Sequence, residues 1–116
     1  MKGIYILIID LSKDSTILIG GLGKMRFQKG TYFYVGSAMN GIEARVRRHL
    51  QKNKKLFWHI DYLLKKASIV HVIKIPANNK KAECIMASHM LKLFKPIERF
   101  GSSDCSCASH LFYHEK

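Results

Sequence analysis

Tyr32-Phe33-Tyr34-Val35-Gly36-Ser37, followed by Asn40-Gly41-Ile42-Glu43-Ala44-Arg45-Val46-Arg47-Arg48-His49, is the stretch on which the fold of this chain turns. It reads as a short buried strand, a glycine-bearing turn and a strongly basic helix. In the strand, Tyr32 and Tyr34 share one face while Phe33 and Val35 take the other, because side chains alternate along extended backbone. The spacing predicts a helix from about Ile42 to Lys52, with Asn40 as its cap and Ile42, Val46 and Leu50 as its buried stripe. Arg45 and His49, one helical turn apart, lie together along an edge of that stripe.

Upstream, residues 3 to 10 are apolar at both alternating sets of positions, which predicts a central strand covered on two sides. This opening stretch superficially resembles a signal peptide, but Asp10 ends it and no small-residue cleavage site follows. Thr16 to Ile19 is expected to close an antiparallel hairpin on that first strand. The glycine-dense Gly20-Gly21-Leu22-Gly23 opens no helix and reads as a loop or bulge, followed by a connection with an extended piece near Phe27.

Downstream, a helix is expected over about Leu56 to Lys66, burying Leu56, Ile60, Leu63 and Leu64 and leaving Trp58 and Tyr62 on the side of Lys65. Ser68 to Ile75 alternates into a strand that Pro76 ends, and a third helix reaches from the Asn78-Asn79-Lys80-Lys81 segment to about Phe94. Its apolar stripe comprises Ala82, Met86, Ala87, Met90, Leu93 and Phe94. Glu83 falls on the centre line of that stripe. A carboxylate facing a core costs several kcal/mol unless it is paired or holds a metal. Glu83 is therefore either a functional acid, one half of a buried ion pair, or a first-turn residue that escapes to solvent. The tail has turn chemistry at Gly101-Ser102-Ser103-Asp104 and a final strand near Leu111-Phe112-Tyr113.

The 116 residues suit one domain, and 47% hydrophobic content suits a packed core. Twenty Lys and Arg against eight Asp and Glu give a net charge of +12, which points to a polyanionic partner, nucleic acid ahead of an anionic membrane. Lys52, Lys54 and Lys55, with Lys80 and Lys81, read most simply as solvated charge that also helps hold backbone phosphates. Arg47 and Arg48 join Lys52, Lys54 and Lys55 as the expected nucleic-acid contacts. No apolar run approaches the ~20 residues of a membrane span. Three cysteines, late in the chain and odd in number, fit a reducing, cytoplasmic setting better than a disulfide framework. Cys105-x-Cys107-x-x-His110-x-x-x-His114 contains four plausible zinc ligands, although the C-x-C spacing is unusual and packed free thiols are the default reading.

Gly3-Ile4-Tyr5, then Tyr34-Val35-Gly36, then Arg45 with His49, then Glu83 at a helix start form an ordered set. In that order, over residues 3 to about 96, the chain resembles the GIY-YIG nuclease family. The first triplet is literal and the second differs by Val for Ile. Trp58-His59-Ile60-Asp61-Tyr62 and the tail around Phe100 to Phe112 look like a stand-alone small subfamily. The resemblance implies an α/β (α+β) domain with a three-stranded antiparallel sheet flanked by helices, hydrolysing nucleic-acid phosphodiesters, DNA ahead of RNA, with one Mg²⁺ or Mn²⁺. It implies Glu83 as metal ligand, Arg45 as the group that stabilises transition-state charge, and Tyr5 and Tyr34 beside the attacking water with His49 assisting. A homodimer or a protein partner is the route by which so small an enzyme would cut two strands. Two departures stand out. Ser37 replaces the lysine that the excision-repair members carry after this triplet, and Pro96 is followed by Ile97-Glu98-Arg99 where those members carry P-x-Y-N. A second reading is a non-catalytic nucleic-acid binder on the same fold, and a third is a zinc-stabilised adaptor.

Overall fold

The computed structural model describes residues 1–102 and 105–114. Of the expected turn in the tail, Ser103 and Asp104 lie outside the described residues. Seven strands and three α-helices follow one another as β1 (Gly3–Leu11), β2 (Ser15–Leu18), β3 (Lys24–Phe27), β4 (Gly30–Ala38), α1 (Ile42–Leu50), α2 (His59–Leu63), β5 (Ser68–Pro76), α3 (Lys81–Leu93), β6 (Lys95–Pro96) and β7 (Leu111–His114). The chain is mixed α+β. No helix among the described residues is long and apolar enough to cross a membrane.

The main sheet is antiparallel in the order β5-β1-β4-β7-β6. It has five strands rather than the expected three, because the tail supplies β7, which pairs with the first half of β4, and β6 beyond it. The expected β1–β2 hairpin is also corrected: β2 pairs with β3 in a separate two-stranded sheet, and β1 takes β4 and β5 as neighbours. Local alternation announces a strand but not its partner, and β6, only two residues long, is too short to show alternation at all.

Apolarity on both faces of β1 is explained by two packed layers. On one side Tyr5, Leu7, Ile9 and Leu11 join Tyr32 and Tyr34, Ile42 and Val46 of α1, and Ile60 and Leu63 of α2. On the other, Ile6, Val35 and Phe112 meet Ala87 and Met90 of α3. Two expected core positions are exposed: Leu50 at 54% and Leu93 at 72%. Each is the last residue of its helix. The helix expected over Leu56 to Lys66 is only His59–Leu63, with Trp58 as an extended residue at its cap.

Neither is Asn40 the cap of α1. Gly41 occupies that position at φ +134°, and the Ile42 amide donates to the carbonyl of Met1 (2.7 Å). At the other end Lys54 Nζ donates to the carbonyls of His49 (2.9 Å) and Gln51 (2.7 Å), the favoured location for a cation on a helix.

Asp61 is the strut between α1 and α2. Its side chain is 0% exposed and receives a bidentate pair from Arg48 (2.9 and 3.0 Å) and the amides of Phe57 and Trp58 (both 2.9 Å). Burial pushes its pKa up, but these donors outweigh burial and hold the carboxyl below its usual range. Removing one partner of such a pair strands a buried charge. Asp61→Ala is expected to lose about 3–5 kcal/mol of stability, read from urea denaturation. A loss below about 1 kcal/mol would show that Arg48 relaxes to solvent without penalty.

Candidate active site

The pairing β1–β4 sets Tyr5 directly across from Gly36. A Cβ at Gly36 would overlap Cζ and Oη of Tyr5, so glycine is needed for the tyrosine ring to lie against the β4 backbone. Gly3 has a parallel reason, since a Cβ there would overlap the carbonyl oxygen of Ile75 on β5. The glycines of the two triplets thus serve close packing in and beside β1, and a phenol is the group their spacing presents.

Beyond Tyr34, β4 loses its β7 neighbour: the last pair is Tyr34 with Leu111, and Val35 N–H then donates to the His110 carbonyl (2.9 Å). A cavity of ≈ 350 Å³ opens there, lined by Tyr5, Tyr34, Gly36, Ser37, Arg45, Phe57, Trp58, His59, Lys80, Glu83 and Gly101. Four residues expected from the sequence, Tyr5, Tyr34, Arg45 and Glu83, therefore share one wall system, from β1, β4, α1 and the first turn of α3.

Glu83 is 7% exposed, on the core-facing side of α3. Its Oε2 lies 3.7 Å from Nδ1 of the buried His110. Arg45 Nη1 donates to the Ser37 carbonyl (3.0 Å), and its guanidinium lies 4.5 Å from the centre of the Trp58 ring. Arg48 stacks on the same indole at 4.4 Å. Asp61 holds Arg48 and the Trp58 amide, and Trp58 in turn supports Arg45, so a buried acid outside the cavity orients the cation inside it.

His49 is not in the cavity wall but directly behind it. Its Nε2 is 2.7 Å from Tyr5 Oη, and its Nδ1 is buried without a hydrogen-bond partner. Burial lowers the His49 pKa to about 4, so the ring is neutral at physiological pH. Burial likewise raises Tyr5, against the opposing charge and hydrogen bond of Arg45, and raises Tyr34 well above its usual value. Both phenols are protonated near neutrality.

Because the folded His49 pKa lies below the unfolded value of about 6.5, the unfolded chain takes up a proton that the native chain refuses. Stability is expected to fall by up to ~3 kcal/mol as pH drops from about 6.5 toward 4. In His49→Gln that share of the slope should vanish, while the contribution of Asp61, whose pKa is depressed, is lost only at lower pH. Parallel profiles for the two proteins would show that His49 is not the group responsible.

The expected phosphate-contacting residues divide. Arg47 and Lys55 are exposed. Arg48 is engaged by Asp61 and the Lys55 carbonyl, Lys54 caps α1, and Lys52 Nζ lies 3.4 Å from the carbonyls of Leu64 and Ala67. Lys80, Ser37, Trp58 and His59 also line the cavity. The sequence offered Lys80 only as solvated charge that helps hold backbone phosphates and Trp58 only as an aromatic on the Lys65 side of a helix, and it gave His59 no role. His59 accepts a hydrogen bond at Nδ1 from the Gly101 amide (2.8 Å), which places the proton of the neutral ring on Nε2.

The tail's expected zinc set is corrected in one member. Cys105, Cys107 and His110 converge with Cys84 of α3, and their ligand atoms all lie within 4.8 Å of one another, a cluster able to hold a metal ion. His114 is instead on β7, with its ring 6.1 Å from that of Phe33 and 5.6 Å from that of Phe94. It shares the face of Phe112, but four residues of extended chain beyond His110 carry it along β7 and away from the cysteines.

No curated protein and no solved structure gave a match to the chain. Residues 4–116 match the model described as domain of unknown function DUF123, and the chain belongs to that family.

Proposed function

We propose that the protein is a divalent-metal-dependent nuclease of GIY-YIG type, hydrolysing phosphodiester bonds, with DNA ahead of RNA as substrate. One observation carries this reading: Tyr5, Tyr34, Arg45 and Glu83, distant in sequence, line a single cavity with Lys80 beside them. A buried carboxylate in the wall of a ≈ 350 Å³ cavity suits a hard cation that keeps most of its waters. Glu83 would hold that ion. Bound there, Mg²⁺ or Mn²⁺ would neutralise charge on a non-bridging phosphate oxygen and acidify a water.

The chain's own groups do the rest. Arg45, fixed by the Ser37 carbonyl and the Trp58 ring, presents its remaining donors to the phosphate, where negative charge develops. Lys80 adds the cation that Ser37 does not supply. Tyr5 is too well protonated to act as a phenolate. It serves as a relay: Oη receives the proton of the attacking water while its own proton passes to His49 Nε2, 2.7 Å away. Burial disfavours the imidazolium so formed, as do the charges of Lys54, Arg48 and Arg45, and the charge of Asp61 only partly offsets them, so the proton resides on His49 transiently. Tyr34 orients the water from the other side of Gly36. Outside the cavity, Arg47 and Lys55 are exposed cations suited to flanking phosphates.

Ser37 favours a second reading, in which the same cavity grips a phosphate without cutting it. A panel of single-stranded, duplex, flap and branched DNA and RNA, with Mg²⁺ and with Mn²⁺, separates the two. The nuclease reading expects metal-dependent products on at least one substrate. Salt-sensitive binding with no product in either metal would support the binder instead.

A further inference from the structure

We propose that Cys84, Cys105, Cys107 and His110 form a closed, structural zinc site that ties the tail to α3 directly behind Glu83. The proposal stands apart from the nuclease reading and does not depend on it.

Three thiols and one imidazole form a closed Cys₃His donor set, which zinc takes in tetrahedral structural sites. Their ligand atoms already lie within 4.8 Å of one another, and Cys105 Sγ is 3.4 Å from His110 Nε2. With Zn–S near ~2.3 Å, tetrahedral sulfurs stand about 3.8 Å apart, so closing the site needs side-chain shifts of about 1 Å or less. Soft thiolates select zinc over the hard ions suited to Glu83. An odd number of cysteines is also poorly explained by disulfides, since any pairing among the three leaves one thiol over.

The donors are held by ordered backbone. His110 is fixed through both main-chain groups, its amide to the Phe100 carbonyl (2.8 Å) and its carbonyl to the Val35 amide. Cys84 sits in α3, and the Cys105 amide donates to the Ser102 carbonyl (3.3 Å). Thus the site would clamp the described tail residues ahead of β7, 97–102 and 105–110, onto a helix. Small domains commonly replace missing core with a metal in this way.

His110 also faces two ways. Nε2 points to the thiols and Nδ1 to Glu83 Oε2 at 3.7 Å. Coordination through Nε2 leaves the proton on Nδ1, which faces the carboxylate, akin to the arrangement in which an outer acid orients a metal-bound histidine. Zinc and Glu83 then fix one another's geometry through a single ring, and Glu83 enters the cavity wall already oriented.

Metal content of the reduced wild-type protein, purified without added zinc, tests this directly. One zinc per chain is expected. Cobalt exchanged for zinc should give thiolate-to-cobalt charge-transfer absorption and the intense visible bands of a tetrahedral centre. His114→Asn should keep the metal, whereas Cys107→Ser should weaken binding at least ~tenfold. If Cys107→Ser does not fold, the wild-type cobalt spectrum decides alone. Substoichiometric zinc together with no charge-transfer band, or a disulfide among the three cysteines in protein isolated under reducing conditions, would overturn the proposal. So would a centre that His114→Asn abolishes.

Discussion

Glu83→Gln is expected to lower metal-dependent cleavage by about a thousandfold or more, because it removes the one carboxylate lining the cavity among the described residues. Glutamine has nearly the same shape and retains a carbonyl oxygen for the His110 ring, so the fold should survive. It has no negative charge with which to hold a divalent ion. Nucleic-acid binding without metal should be unchanged or tighter, since one negative charge leaves a wall that also carries Arg45 and Lys80. That combination, lost turnover with retained binding, separates a catalytic acid from a merely structural one. Equal cleavage by the variant and wild type would remove Glu83 from the chemistry and with it the main support for the nuclease assignment.

Arg45→Lys should reduce kcat by roughly 10²–10³, with a smaller change in KM. Charge is conserved in this variant, so a purely electrostatic role predicts little effect. Arg45 differs from lysine in its planar fork and its stacking on Trp58, both of which fix where the donors point. If the arginine acts on the geometry of the transition state, kcat falls even though the pocket keeps its charge. A rise in KM alone would recast Arg45 as a phosphate grip, in keeping with the non-catalytic reading. Thermal stability measured beside the kinetics guards against a packing effect, because lysine also loses the indole contact.

The sequence went furthest at α3. Helical phase alone put Glu83 on the core side, and the structure finds it buried, because a 3.6-residue repeat fixes azimuth well before any neighbour is known. It did less well at helix ends, where Leu50 and Leu93, the last residues of α1 and α3, are exposed. Trp58 marks a different limit. Its spacing from Tyr62 put it on a helical side beside Lys65, either exposed or covered by another element, yet Asp61 draws the Phe57 and Trp58 amides into a cap, and Arg45 and Arg48 of α1 cover the indole. Those arginines belong to another helix, and no local window around Trp58 contains them.

The members of the candidate metal cluster divide along the same line. Cys105, Cys107 and His110 lie close enough in the chain for their spacing to suggest a shared site. Cys84 belongs to α3, and only tertiary packing brings it to them in place of His114.

Local order along the chain was sufficient for the longer strands, the basic helix and the buried acid, since each follows from backbone period within a few residues. The need for Gly36 opposite Tyr5, by contrast, arises only once β1 and β4 pair. Which strand pairs with which, how many strands the sheet has, and which side chains meet at the mouth of the cavity were decided by the tertiary structure. Those choices depend on contacts between distant segments, whose free energy is settled when whole layers pack together and leaves no periodic mark in any one of them.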